Sequence, residues 1–267
     1  MLKKYYLHLF PLPMRADEQE QSGAMMIVLS VGMPRAGSGW HYNLVHDLMK
    51  TTGCAEARDI RERYGLQSIL TEVNCNIGVL SGRRLALVTL PALMGNTFVI
   101  KAHAGPTSGS RLLQRLGLLR ITYIYRDPRD AMLSAYDYGQ RALKKGRPNA
   151  FSHLTDFQKS VDFTMDYVRI WEMWMQEKNA LIARYEDLLM NYDHEVAGLV
   201  QFLKVNGSKP EVQNVIDGYR PGAAEGQQGL HFYKGKIGRF RETYSAEEQA
   251  ILNEKLLPYL ARMGYEA

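Results

Sequence analysis

The stretch MMIVLSV-GMPRAGSG-WHYNLVHDLMK, residues 25–50, decides the fold. Its first seven residues form an almost continuous apolar run, of the kind that lies in a parallel sheet covered on both faces. A glycine-rich turn over 32–39 follows, and residues 40–50 have the spacing of an amphipathic helix. The stretch therefore predicts a strand–loop–helix unit, which is the repeating element of α/β folds.

Three downstream segments are also predicted to be strands, and helical patterns lie between them. They are TFVIKAH (97–103), LRITYIYR (119–126) and ALIARY (180–185). A helix is predicted after residue 126, with Asp127 as its N-cap and Pro128 in its first turn. Because strands and helices alternate, we predict a single α/β domain with a mainly parallel sheet and right-handed crossovers.

This domain is predicted to occupy residues 25–267, after an N-terminal arm and linker over residues 1–24. The apolar run in the arm is broken by two prolines and is followed by no small-residue cleavage site, so it does not fit a signal peptide. Residues 51–95 carry no pattern that places them in the fold. Residues 218–238 are rich in glycine and are predicted to form a long functional loop.

The composition is that of an ordinary globular protein. Of the 267 residues, 46% are hydrophobic and 23% are charged, which excludes disorder, collagen and coiled coil as overall descriptions. The net charge of +5 favours anionic ligands but is too small to indicate a nucleic-acid-binding protein. With only Cys54 and Cys75, and no run of 18 apolar residues, we expect a cytoplasmic location without disulfides, a zinc site or a membrane span.

The glycine-rich turn has the features of an anion-binding loop. Glycines let the backbone curl so that several N–H groups converge, and the N-terminus of the next helix adds positive potential. Arg35 and Ser38 supply further donors, although an ordinary βα turn remains the alternative. The loop G-x-x-x-x-G-K-[ST] of nucleoside triphosphatases is not matched, because Ser38 stands where the lysine should be.

The segment PRAGSGW of this loop resembles P-[KR]-[SA]-G-[TS]-x-W, the donor loop of sulfotransferases that use 3′-phosphoadenosine 5′-phosphosulfate (PAPS). Four further signatures of that family, K-[TS]-H, R-[ND]-P-[KR]-D with a following serine, Y-E-D and R-K-G-x-x-G-D-W, find matches in the same order. The matching segments are KAH (101–103), RDPRDAMLS (126–134), YED (185–187) and, in part, YKGKIGRF (233–240). The last match departs from the family pattern at Tyr233 and Arg239.

The resemblance implies a sulfotransferase with a P-loop-like fold that releases 3′-phosphoadenosine 5′-phosphate (PAP) and requires no metal. In-line sulfuryl transfer needs a base for the acceptor proton and cations for the developing negative charge. His103 is the candidate base because histidine titrates near neutrality, although a strand-end histidine bonded to the backbone is the alternative. Lys101 lies two residues earlier, on the same strand face, and is a candidate cationic clamp together with Arg35.

The resemblance also implies a set of residues that bind the donor. Ser38 and the neighbouring backbone amides would hold the 5′-phosphate, and Arg126 with Ser134 would bind the 3′-phosphate. Trp40 would stack on the adenine, with core packing as its alternative role, and Tyr185 would lie near the adenine edge. The full set is Arg35, Ala36, Gly37, Ser38, Gly39, Trp40, Arg126, Ser134, Tyr185, Tyr233, Lys234 and Gly235.

Two other features have mainly structural interpretations. Arg129 is expected to be a solvated helix residue. Four aromatic side chains recur at helical spacing and are expected to belong to the core, although in the resembling family this region can line an acceptor pocket. They are Phe163, Tyr167, Trp171 and Trp174.

Two other functions stay open. The first is a P-loop kinase, which would use ATP with Mg²⁺ and which the missing loop lysine argues against. The second is a binding module without catalysis, which Lys101 and His103 argue against and Tyr233 mildly favours. The acceptor is expected only to be a small molecule with a hydroxyl or amine, because acceptors vary widely in the family. The oligomeric state is left open.

Overall fold

Four parallel strands form the centre of the structure, which a computed structural model describes over residues 25–222 and 236–266. The strands are β1 (Ile27–Gly32), β2 (Phe98–Ala102), β3 (Leu119–Tyr125) and β4 (Ala180–Arg184). They lie in the order β2-β1-β3-β4, and each neighbouring pair is parallel. The predicted α/β fold and each of the four predicted strands are therefore confirmed.

The central strand β1 is buried along its whole length. Ile27 lies opposite Phe98 on one side and Leu119 on the other. A strand that has neighbours on both edges and helices on both faces requires apolar side chains at almost every position, which explains the apolar run in the sequence.

Helices cover the sheet and connect its strands. Within the described residues they are α1 (Ser38–Lys50), α2 (Ala57–Arg63), α3 (Gly82–Leu93), α4 (Ser108–Arg115), α5 (Pro128–Lys144), α6 (Phe157–Trp174), α7 (Tyr185–Met190), α8 (Tyr192–Leu203), α9 (Pro210–Tyr219), α10 (Phe240–Thr243) and α11 (Ala246–Met263). In the part of the chain that the structure describes, none of these helices has the length and apolarity needed to cross a membrane.

The structure places the region that sequence patterns left open. Residues 51–95 contain the helices α2 and α3, and short apolar segments such as RLALVTL lie within α3. The predicted loop over 218–238 begins with the last two residues of α9, and most of it, residues 223–235, lies outside the described residues. The predicted arm and linker over 1–24 lie outside them as well.

The start of α5 confirms one prediction and corrects another. Asp127 is the N-cap, and its carboxylate accepts a hydrogen bond from the Arg129 backbone N–H at 2.9 Å. The expectation that Arg129 is solvated is wrong, since only 1% of this residue is exposed. Its guanidinium donates to both Asp127 oxygens, at 3.0 and 2.9 Å, to Asn253 Oδ1 at 2.8 Å and to Glu266 O at 2.7 Å. The planar fork of arginine thus joins α5 to the C-terminal segment.

The aromatic residues of α6 divide into two groups. Trp171 and Trp174 are buried in the core, and the Trp174 ring stacks on Tyr123 with their centroids 5.7 Å apart. Phe163 and Tyr167 are half-buried, and Phe163 makes an edge contact with Phe151 at 5.8 Å. The expectation of core packing is therefore confirmed for the two tryptophans.

We predict that Arg129→Ala strongly destabilises the fold, because it leaves the Asp127 carboxylate buried without its cation. Removing one partner of a buried ion pair costs about 3–5 kcal/mol, which denaturant unfolding would measure. Arg169→Ala is the matched control, since Arg169 and Asp166 form an exposed ion pair with side-chain exposures of 64% and 70%. Equal effects of the two substitutions would contradict the structural role of Arg129.

Candidate active site

A cavity of about 560 Å³ lies where the strands of the sheet end. Each of the four strands contributes to its wall: Arg35 follows β1, Lys101 is the penultimate residue of β2, Arg126 follows β3 and Tyr185 follows β4. Open parallel sheets bind their ligands at this carboxyl-terminal edge. The parallel topology therefore brings together residues that are far apart in the sequence.

The glycine-rich loop makes a tight passage from β1 into α1. Gly37 has a φ of 75°, in the left-handed region that favours glycine, and a Cβ there would lie 2.5 Å from the ring of Tyr185. The first intrahelical N–H bond runs from His41 to Gly37 O at 3.0 Å. The amides of Ser38 and Gly39 precede that bond and lie at the helix N-terminus, which favours anions.

Two cations beside this loop have no carboxylate partner within the described residues. Lys101 is only 5% exposed, and its burial together with the charge of Arg35 lowers the pKa of the amine to about 8. Arg35 is half-buried, its Nε donates to Ser134 Oγ at 3.3 Å, and its guanidinium lies 4.4 Å from the Tyr138 ring centroid. Burial also lowers the pKa of Arg35. Because cations withdrawn from water are costly without a counter-charge, this part of the cavity favours an anion.

Arg126 lies directly after β3 and is partly committed to other groups. Its Nη2 donates to Asp130 Oδ2 at 3.0 Å and to Lys236 O at 2.7 Å, and its guanidinium lies 4.7 Å from the Tyr185 ring centroid. The Nε of Arg126 is buried and has no hydrogen-bond partner among the described residues. Since buried donors are nearly always paired, this N–H indicates room for an acceptor such as a phosphate oxygen.

His103 is held in one tautomer by the backbone. Its Nδ1 donates to Gly32 O at 2.6 Å, so Nε2 carries the lone pair. Burial and the neighbouring Lys101 lower the pKa of the imidazole to about 4, which keeps the ring neutral near pH 7. The backbone contact that the alternative interpretation expected is therefore present. It does not exclude the base role, because it leaves Nε2 free to accept a proton.

Trp40 belongs to both the core and the cavity wall. It is only 3% exposed, and its ring stacks on Tyr192 with an interplanar angle of 17°. Its Nε1 donates to Tyr219 O at 3.1 Å, and the Tyr185 ring meets it edge-on at 6.2 Å. The core packing considered as its alternative role is thus present, and stacking on adenine stays a prediction.

The structure gathers most of the residues singled out in the sequence around this one cavity. The lining includes Arg35, Gly37, Ser38, Gly39, Trp40, Lys101, His103, Arg126, Ser134 and Tyr185. Ala36 does not line it, because its side chain is buried and its amide donates to Met33 O at 3.1 Å. Tyr233, Lys234 and Gly235 lie outside the described residues.

Asp130 lies in the matched segment RDPRDAMLS (126–134), but the sequence alone indicated no role for it. Its buried carboxylate accepts hydrogen bonds from the backbone amides of Gly238 at 2.7 Å and Phe240 at 3.1 Å, in addition to that from Arg126. Asp130 therefore positions Arg126 and anchors the segment that follows residue 235. The available signal was its position four residues after Arg126, where an acid can meet a base across one helical turn.

The fold and its edge cavity place the chain among the P-loop-like α/β proteins, whose first strand–helix turn receives a phosphorylated ligand. Within that class, the family profile of the sulfotransferase domain matches residues 27–219. The chain belongs to this sulfotransferase family.

Known proteins resemble the chain in sequence and in fold. Sulfotransferase 6B1 of Danio rerio is 25% identical over 167 residues, which are 55% of this chain and 56% of that protein. The chain thus spans little more than half the length of this curated relative. Mouse sulfotransferase SULT7A1 complexed with PAP has a TM-score of 0.54 at 14% identity, over 91% of this chain and 90% of that one.

A second solved structure, retinol dehydratase in complex with androsterone and the inactive cofactor PAP, gives a TM-score of 0.53. Its identity is 18%, over 89% of this chain and 81% of that one. At such identities the two structures show a shared fold and no more.

We predict that Asp130→Asn releases the segment after residue 235. The amide NH₂ would face backbone donors, so Gly238 and Phe240 should exchange their amide hydrogens roughly 10-fold faster or more, as the loss of a buried bond of about 1–3 kcal/mol implies. Hydrogen-exchange mass spectrometry would measure it. Asp166→Asn is the control, since the Asp166 carboxylate is exposed and pairs with Arg169 instead. Unchanged exchange in Asp130→Asn would contradict the anchoring role.

Proposed function

We propose that the chain is a PAPS-dependent sulfotransferase that moves a sulfuryl group to a hydroxyl or amine of a small-molecule acceptor and releases PAP. The observation that carries this proposal is the set of cationic groups around one cavity. Lys101 and Arg35 have no carboxylate partner among the described residues, and the Nε of the buried Arg126 lacks an acceptor there. Membership of the sulfotransferase family supports the reaction type.

In the proposal, the cavity holds a donor that carries two phosphate groups. Its volume of about 560 Å³ is in the usual range for small-ligand sites. The α1 N-terminus with Ser38 would hold the 5′-phosphate, and Arg126 with Ser134 would hold the 3′-phosphate. Trp40 and Tyr185 would contact the adenine. In the proposal, Tyr233, Lys234 and Gly235 complete the donor site.

The chain's own groups would provide charge stabilisation and a base. PAPS, when bound, supplies the sulfuryl group. Lys101 is still protonated near pH 7, because its pKa of about 8 lies above that value, and with Arg35 it would stabilise the charge that develops on the departing phosphate and sulfuryl oxygens. The Nε2 of His103 would accept the proton that the acceptor loses. The proposal assigns no step to a metal, and a cytoplasmic location stays a prediction.

Ligand binding separates this function from a P-loop kinase. PAP in the presence of a metal chelator should raise the melting temperature of the protein, and ATP with Mg²⁺ should raise it much less. Transfer from radiolabelled PAPS to a mixture of phenolic, alcoholic and amine acceptors should then yield labelled product. Stabilisation by ATP with Mg²⁺ alone would overturn the proposal in favour of the kinase, and PAP binding without any transfer would favour a binding module.

Arg126→Ala should weaken the binding of PAP by about 10–150-fold, the equivalent of a charge-assisted hydrogen bond of roughly 1.5–3 kcal/mol. Binding of 5′-AMP, which lacks the 3′-phosphate, should change much less. Calorimetry with both nucleotides would measure the difference. Arg126→Lys keeps a cation beside Asp130 and should lose less, which checks that the effect is not unfolding. Equal losses for PAP and 5′-AMP would show that Arg126 does not recognise the 3′-phosphate.

His103→Ala should lower kcat by about 10²–10⁴-fold, the usual contribution of a positioned general base. The affinity for PAP should hardly change, and the loss should shrink for a phenol that is already ionised at the assay pH, because that acceptor has no proton to lose. Steady-state kinetics would test this, with His194→Ala as the control, since the His194 side chain is 88% exposed. Turnover like that of the wild type would remove His103 from the mechanism.

A further inference from the structure

The cavity continues beyond the residues assigned to the donor. This part, which we call the polar limb, is lined by Tyr42, Asn43, His46, Glu56, Arg58 and Asn74. Three of these residues lie on α1, within the two turns that follow Trp40, and at 1.5 Å per residue His46 is about 9 Å further along the helix than Trp40. The others come from α2 and its flanking segments.

A series of contacts connects the polar limb to the reactive end of the cavity. The Lys101 Nζ lies 6.0 Å from the Tyr42 ring centroid, and the Tyr42 and His46 rings are 6.0 Å apart. The His46 Nε2 is 3.2 Å from Glu56 Oε2, and its Nδ1 is 2.7 Å from Asp47 Oδ1. Lys101 therefore stands between the donor residues and the polar limb.

Several polar groups of this limb make no hydrogen bond to another described group of the protein. Within the described residues, the side-chain amides of Asn43 and Asn74 and the hydroxyl of Tyr42 make no hydrogen bond. Both contacts of the Glu56 carboxylate, with His46 and with Lys50, involve Oε2, which leaves Oε1 available. The bond to His46 holds that carboxylate in place. The limb thus presents donors and acceptors that a ligand can use.

The polar limb offers little to an apolar ligand. Among the described residues that line the cavity, the aliphatic side chains are those of Pro34, in the phosphate loop, and Val73, which is 69% exposed. The lining rings of Tyr138 and Phe151 contact each other, and the Tyr138 ring packs on Arg35 rather than on the polar limb. Burial of apolar area is the main source of affinity for apolar molecules, whereas a site built from hydrogen-bonding groups discriminates against ligands that lack matching hydroxyls. The chemistry of the limb therefore matches a molecule with several hydroxyl groups.

We propose that the polar limb is the acceptor subsite and that it binds a hydroxyl-rich, sugar-like acceptor through Asn43, Glu56 and Asn74. This inference rests on the proposed sulfotransferase function. In an in-line displacement the acceptor and the leaving phosphate lie on opposite sides of the transferring group. In the proposal the phosphate loop and Arg126 take the donor, and the limb adjoins Lys101 through Tyr42, next to the transferring group.

Acceptors that share one ring size test the proposal. With radiolabelled PAPS, kcat/KM for myo-inositol, glucose and methyl glucoside should exceed that for cyclohexanol and phenol by about 10²-fold or more, since unmatched polar groups of the site penalise the acceptors that lack hydroxyls. The double variant Asn43→Leu, Asn74→Leu should lower the preference for the hydroxyl-rich acceptors by roughly 10–100-fold. Asn214→Leu, at an exposed position of α9, is the matched control and should have no effect.

Calorimetry with PAP distinguishes a failure of the proposed sulfotransferase function from a failure of the proposed acceptor subsite. Failure of the wild type to bind PAP would overturn the sulfotransferase function itself. If PAP binds with equal affinity to the wild type and the double variant, the donor site is intact and only the limb is tested. Equal or better transfer to cyclohexanol or phenol, no transfer to any hydroxyl-rich acceptor, or an unchanged preference in the double variant would each overturn the polar limb as a subsite for such molecules.

Discussion

The site depends first on the parallel register of β1 between β2 and β3. This register sets Val31 opposite Ala102 and Gly32 opposite Ile124, so the three strands end at one edge of the sheet. The carbonyl of Gly32 at that edge accepts the hydrogen bond from His103, which ties the loop after β1 to the end of β2. A slip of one residue in the pair of β1 and β2 would turn Lys101 to the other face of the sheet, away from the cavity.

The same edge concentrates positive charge that the protein itself only partly neutralises. Asp130 neutralises Arg126 in part and also anchors Gly238 and Phe240, whereas Lys101 has no carboxylate partner in the described part of the chain. Burial lowers the pKa values of Lys101 and Arg35 because their charged forms lose hydration. An anion bound there would raise the pKa values of both groups again, because it stabilises their charged forms. The charge distribution is therefore unfavourable for the empty site and favourable for an anionic ligand.

Local patterns predicted the strands, the phosphate loop and the residues that follow each strand, because a parallel sheet carries such residues to one edge whatever lies between them. Side-chain contacts between elements that are distant in the sequence could not be predicted from such local patterns. Arg129 was expected to be solvated, yet it binds Asn253 on a helix that no local pattern connects with α5. The helix α2 was missed because its only apolar residues, Ala57 and Ile60, are too few to show a period. The helix α3 was missed because its apolar run is ambiguous between helix and strand.

The two halves of the cavity therefore differ in how the fold constrains them. Of the residues proposed to bind the donor, Arg126 directly follows β3, and Ser38 begins α1 after the five-residue loop that follows β1. Changing their positions would require changing the sheet. The polar limb is built from a partly buried face of α1 and from the connection between β1 and β2, where Asn43 and Asn74 support no other described group. Substitutions there can alter the ligand without disturbing the strand register or the phosphate loop. In the proposed reaction, the fold thus allows the specificity for an acceptor to change independently of donor binding.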